Sequence, residues 1–411
     1  MLHILLFVLY FLLLCFLVNR ISFTSKSGLG FRWINFLFIL KVTAGLAIGW
    51  ISARYYPEGN DYWTLNRYGI EETELLKKDP AQFFVSLFQS HYNHYDGFFI
   101  SVGSYWNDLK NNIVIKFLAI CNLASGGNYY INSLFFSFIS FFGHVALFRI
   151  FYTFHSHRKM FIIAGAFLIP STLYFSSGIH KDSIVFAALG LFSWALFTLT
   201  ATAARKKLIL LMVCAVAILF IRSHVFAALI PATIAYLLAT RKLIRRPFQK
   251  TYVAAALFLL ILSFIPSVNP FAVMARKQQD FFALPEASSQ LAKDTLQPTP
   301  LSVLKNTPQA LVHGFAEPLP WKFPGEPLMI LGFEALLILA FFLFWIFNHD
   351  KRKPHPVYWY CILLAIPLIL FAGYIVPNAG SIIRYRAIYL PWLLLPLLTT
   401  LKIKHISFKN M

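Results

Sequence analysis

Apolar residues gather along the chain in long unbroken runs, and the polar positions are pushed into the gaps between them. Alternation of the kind a half-buried strand needs is absent, so the pattern predicts helices. The runs cover about 2–18, 33–53, 129–152, 161–176, 183–201, 208–221, 225–239, 251–267, 327–347, 357–376 and 387–401. Most approach the roughly 20 residues that cross a hydrocarbon core, and several fall short of it. The expected fold is therefore all-α: a polytopic transmembrane helix bundle of about 11 spans forming one integral membrane domain over 1–411.

Composition agrees. Of 411 residues, 58% are hydrophobic, 18% aromatic and only 13% charged. That is more apolar side chain than a soluble protein of this size buries, which excludes an ordinary cytosolic enzyme. The formal charge of +20 raises nucleic-acid binding. The basic residues are scattered between the apolar runs, however, with no arm or helix that tracks phosphates, so no nucleic-acid partner is expected.

Charge reports topology instead. Taking alternate loops from Arg20, Lys26 and Arg32 onward, one set holds 19 Lys/Arg and a single acid, Asp350; the other holds 15 Lys/Arg and 14 acids. The first set is then cytoplasmic, with the N-terminus external and the C-terminus cytoplasmic. The run at 2–18 has no basic segment ahead of it and no small-residue cleavage site behind it, so it reads as a retained span. A bacterial inner membrane is the expected location. The cysteines Cys15, Cys121, Cys214 and Cys361 lie singly in apolar segments and suggest neither disulfides nor zinc.

The cytoplasmic connections are short and basic, whereas two external loops are long: 54–128 and 267–326. In the first, 80–90 and 111–124 are apolar on one side and too short to span, which predicts helices lying on the membrane surface. The second carries eight prolines from Pro270 to Pro324, which break up any long helix and suggest a folded lid. No internal repeat is visible, and no Walker, GxGxxG, HExxH or GxSxG motif occurs in a fitting context.

The chemistry-bearing candidates cluster at the external mouth. Asp61, in Gly59-Asn60-Asp61-Tyr62-Trp63, stands just beyond the second span, where a partly desolvated carboxylate suits a general base; the same residue types equally suit a turn. Ser176-Ser177-Gly178-Ile179-His180-Lys181-Asp182-Ser183 links the fourth and fifth spans. Asp182 or Ser183 there suits a cap for the next helix, with Lys181 neutralising its neighbour, while three ionisable groups in succession between apolar helices need partners or water. Lys181, Arg222, Arg384 and Arg386, with His224, lie in short external links against the general charge bias. They fit lipid headgroups, or converge on a phosphate or pyrophosphate. His91, His94 and Asp96 are metal-ligand types at short spacing, or else an interfacial loop. Lys41 and Glu334 sit inside spans, as snorkelling groups, as a mutual pair or as functional charges.

An early span leading into a long external loop with an acid near its start, two surface helices and a many-span bundle resembles the GT-C class of membrane glycosyltransferases. Asp61 stands where that class has its acidic residue, and 80–90 and 111–124 resemble its juxtamembrane helices. Ser176-Ser177-Gly178 with Lys181-Asp182 is similar to a stretch in membrane proteins of bacterial surface-polysaccharide clusters. The resemblance implies transfer of a sugar from a polyprenyl-phosphate-linked donor to a glycan, lipid or protein acceptor. It assigns Asp61 as catalytic base and Lys181, Arg222, Arg384 and Arg386 to the carrier phosphate, supported by His180, Asp182 and His224. A divalent metal is compatible with it, although Asp61 lacks the neighbouring acid common in the class. An O-antigen-type polymerase or ligase uses similar external cations, and a lipid-linked sugar flippase stands as a third reading.

Overall fold

The computed structural model describes residues 1–56, 60–89, 104–199, 205–284, 289–323, 328–350 and 355–402. Among them every named element is helical, and the only extended pairings are the isolated bridges Gln290–Asn378 and His349–Leu401. In chain order the α-helices are α1 (Leu2–Arg20), α2 (Ser22–Ser25), α3 (Phe31–Tyr55), α4 (Asp61–Lys78), α5 (Pro80–Val85) and α6 (Tyr105–Ser125). Then come α7 (Tyr129–Phe154), α8 (Lys159–Phe167), α9 (Pro170–Phe175), α10 (Lys181–Leu199), α11 (Arg205–Ile221) and α12 (Ser223–Thr240). The last are α13 (Pro247–Leu262), α14 (Pro270–Phe282), α15 (Pro300–Leu311), α16 (Leu328–Phe347), α17 (Pro356–Ile375) and α18 (Ala379–Thr400).

Eight of these, α1, α3, α7, α10, α12, α16, α17 and α18, are long and apolar enough to cross a membrane. The other three expected spans differ from expectation for identifiable reasons. The run 161–176 is not one helix. Pro170 lacks an amide and disfavours helix in the residue before it, so α8 ends at Phe167 and α9 begins anew. Helix α11 reaches only 17 residues and opens on Arg205-Lys206-Lys207, and α13 has 16. At 1.5 Å per residue these rise about 24–26 Å, short of a core of about 30 Å.

The chain divides into two compact units, Met1–Ile150 with Thr172–Phe226, and Phe151–Ser171 with Ala227–Met411. In the first, α3 buries a single stripe: Ile34, Leu37, Phe38, Lys41, Val42, Gly45, Ile48, Gly49 and Ser52. Steps of three and four residues keep these on one face. Helices α7 and α10 cross with backbones almost touching. A Cβ on Gly190 would stand 2.8 Å from the Gly143 Cα, so only hydrogen fits there.

The first long loop contains an element the sequence pattern did not announce, α4, which packs along α6. Helix α6 begins six residues before the expected 111, and the segment 80–90 contributes α5 and a single 3-10 turn at Ser86–Phe88. In the second unit α17 pairs with α18, while α15 and the π-helical turn Val312–Ala316 pack on α17. The prolines of the second loop start helices as well as break them, since Pro270 and Pro300 each occupy a first turn.

Candidate functional site

Helix α4 starts where it does because Asn60 caps it, its side-chain oxygen accepting from the Tyr62 amide at 3.1 Å. Asp61 is thus the first helical residue, with its carboxylate at the positive end of the dipole. The capping asparagine makes the bend that places the acid at the start of α4. The rest of α4 is pinned by polar contacts. Trp63 donates to the Gly49 carbonyl at 3.0 Å and stacks on Tyr129 with centroids 4.2 Å apart. Asn66 donates to Gly127 O at 3.0 Å and accepts from Asn132 at 2.9 Å.

Opposite Asp61 lies the link between α9 and α10. Gly178 takes φ +72°, and a Cβ on it would come within 2.7 Å of Ile48 Cγ2, so both conformation and space demand glycine. Ser183 Oγ closes the link by donating to Gly178 O at 2.8 Å. Behind it, Lys41 Nζ donates to Ser176 O at 2.8 Å and to Ser176 Oγ at 2.5 Å, with His144 Nε2 at 3.0 Å. Lys41 therefore neither snorkels nor pairs with Glu334; it ties α3 to the C-terminal carbonyl of the α9 segment. Glu334 has its own partners in the second unit, accepting from the Ser171 amide at 2.7 Å and from Ser171 Oγ at 2.5 Å.

The link presents His180, whose side chain is 4% exposed, between two carboxylates. Nδ1 lies 2.8 Å from Asp182 Oδ2, and Nε2 lies 4.0 Å from Asp61 Oδ2. The amide of Asp182 also approaches Nδ1, at 3.1 Å. Nδ1 thus accepts from that amide, and Nε2 faces Asp61. Asp182, 3% exposed, is held in turn by Arg222 Nη2 at 2.6 Å from Oδ1. The Tyr62 ring lies 5.2 Å from the imidazole. The result is a row, Asp61, His180, Asp182, Arg222, in which Asp61 alone is widely open, at 57%. An open carboxylate backed by an oriented imidazole can take a proton from a bound hydroxyl.

Of the residues expected at the site, Asp61, His180, Lys181, Asp182, Arg222 and His224 all belong to the first unit. Lys181 donates to Asn111 Oδ1 of α6. Arg222 holds Asp182, an engagement across 40 residues that no local pattern signals. Arg384 and Arg386 belong to the second unit. Arg384 lies over the Tyr385 ring at 5.6 Å. Arg386 is 1% exposed, and its Nη1 donates to the carbonyls of Gly314 (3.2 Å), Phe315 (3.0 Å) and Glu317 (2.9 Å). That is a brace across the π-helical turn. His91, His94 and Asp96 lie outside the described residues.

The second loop carries its own buried polar set. Lys293 donates to Gly373 O, and burial pushes its amine down to about 7. Burial first, and then the Lys293 charge, pushes His313 down to about 4. Gln278 knits the neighbouring strap, donating to Tyr374 O at 2.9 Å and accepting from the Leu296 amide at 2.7 Å.

No family model, curated protein or solved structure matches the chain. The reading of function therefore rests on residues and geometry.

Proposed function

We propose that the protein is a membrane glycosyltransferase of the GT-C kind. It moves a sugar from a polyprenyl-phosphate-linked donor to an acceptor on the external face, in assembly of a cell-surface glycan or glycoconjugate. The observation that carries this is the exposed Asp61 carboxylate, 4.0 Å from a buried histidine that Asp182 and Arg222 hold in place. In the accompanying topology α8 with α9, α11 and α13 also cross, giving about 11 spans in a bacterial inner membrane, N-terminus external and C-terminus cytoplasmic.

Asp61 takes the acceptor's hydroxyl proton. The freed oxygen bonds to the anomeric carbon as the bond from that carbon to the lipid phosphate breaks, with inversion, and the phosphate leaves with the bonding electrons. The His180 ring, held beside Asp182, faces the Asp61 carboxylate and orients it toward the acceptor. Lys181 and Arg222 stabilise the charge growing on the phosphate. Arg384 keeps its assignment to the carrier phosphate on sequence grounds, while Arg386 is a structural brace. A divalent metal remains compatible with an acid beside an imidazole.

The test is complementation in the native host with Asp61→Asn and Arg384→Ala separately, following surface glycan and lipid-linked precursor at matched protein levels. Loss of glycan with precursor build-up in Asp61→Asn supports the transferase. A silent Asp61→Asn beside a null Arg384→Ala moves the weight to the polymerase or flippase reading.

A further inference from the structure

Away from that site, within the second unit, the end of α12 and the first turns of α13 and α17 enclose a cavity of about 740 Å³. This lies in the range of about 300–1,000 Å³ that holds small ligands. Its wall is apolar, with Tyr252, Trp359 and Leu363 along it, and Tyr252 is fixed by donating to Leu363 O at 2.7 Å. Its rim is cationic: Lys242, Arg245 and Arg246. No acidic side chain lines it among the described residues, and none of the three cations has an ion-pair partner there.

The backbone is shaped around this rim. Lys242 (φ 51°) and Arg246 (φ 55°) are the two non-glycine residues with left-handed backbone among the described residues, and both flank the cavity. Holding side-chain-bearing residues there costs energy that the surrounding structure must supply. Arg246 also caps α13 without a side-chain hydrogen bond, and Pro247 follows, so the first-turn amides of Phe248 and Gln249 open beside the same cations.

We propose that this cavity seats one anionic phospholipid of the surrounding membrane. Its phosphate lies against Lys242, Arg245, Arg246 and the first turn of α13, and the upper part of an acyl chain lies along Tyr252, Trp359 and Leu363. Charge complementarity selects an anion, and the apolar wall selects one that carries a hydrocarbon chain, which a free phosphate lacks. The site is independent of the transferase reading.

The test uses the full chain, purified and delipidated in detergent, titrated with phosphatidylglycerol or with phosphatidylcholine of the same acyl chains. Bound lipid is counted by native mass spectrometry, and a melting curve of each variant confirms folding. Wild type is expected to retain one phosphatidylglycerol in preference to phosphatidylcholine. Neutralising the rim with Lys242→Asn, Arg245→Gln and Arg246→Asn weakens retention by about fivefold per cation, since each surface cation contributes on the order of 1 kcal/mol to anionic lipid. Asparagine is used at 242 and 246 because it tolerates the left-handed backbone. Ala239→Trp fills the cavity without touching charge, and is expected to weaken retention as well. Arg205→Gln with Lys206→Gln, a basic pair elsewhere, leaves it unchanged. Equal retention of the two lipids overturns the proposal, as does an equal loss in the Arg205/Lys206 pair. So does wild-type retention in Ala239→Trp with displacement by inorganic phosphate, which would mark a free-anion site only.

Discussion

Arg222 and Asp182 form a largely enclosed ion pair in the candidate site, with 2.6 Å between Nη2 and Oδ1 and side chains 13% and 3% exposed. Neutralising one member leaves the other buried without its counter-charge, a loss of about 3–5 kcal/mol in comparable settings. Arg222 keeps some access to water, so Asp182→Asn should fall near the lower end of that range. Arg222→Gln should lie higher, because it strands a carboxylate that also faces His180. Together the two changes strand nothing, so the double variant should be less destabilised than the sum of the singles, with a coupling of about 2–3 kcal/mol. Equilibrium unfolding of the four proteins in mixed micelles measures all three quantities. Additivity within about 0.5 kcal/mol would refute the pair as an energetic unit. The row from Asp61 to Arg222 would then lose its anchor, and with it the reason to expect an oriented His180.

Asp61→Asn, at a widely exposed position, should leave expression and melting unchanged while lowering transfer by about 10²–10⁴-fold, the usual worth of a general base; a similar drop in melting temperature would sink the catalytic role. Gly178→Ala forces a Cβ to 2.7 Å from Ile48 in a left-handed backbone and should cost about 1–3 kcal/mol, measured by the same unfolding assay, with loss of function at permissive temperature. Burial lowers Lys293 to about 7 from an ordinary 10.5. Between those values the unfolded chain keeps a proton that the folded chain has released, so stability should rise with pH across about 7 to 10.5 and stay level below it. Lys293→Met should flatten the rise, and an unchanged slope in that variant would assign it to other groups.

Helix class was readable because apolar runs have one solution in a bilayer. Span lengths were less so. The break at Pro170 is a local signal that the hydropathy of 161–176 masked, and the shortness of α11 and α13 shows only once their first residues are fixed. Helix α4 was missed although its ends are marked, by Asn60 and Asp61 at the start and Lys77 and Lys78 at the close; its polar face reads as loop when the eye is set for spans. At the site, residue types pointed to Asp61, His180 and Asp182, but what each touches did not follow from them. Arg222 lies 40 residues from Asp182, and nothing in a linear chain distinguishes a cation that grips a carboxylate from one that faces a phosphate. Arg386 shows the same limit. It stands in a short link beside Arg384, yet folding turns it inward onto three carbonyls.

The bonds of Lys41 carry a consequence for biosynthesis. Its partners His144 and Ser176 lie 103 and 135 residues further along. At about 5–20 residues per second, the ribosome needs roughly 7–27 s after making Lys41 before Ser176 exists. Through that interval α3 holds a cation with no native partner, at an insertion cost of about 2.5–3.5 kcal/mol if the charge sits at the bilayer centre. A helix that stays at the translocon, or beside an insertion factor, until α7 and then α9 arrive avoids that cost. The expected outcome is that slowing translation between codons 41 and 176 raises the fraction of chains that are degraded.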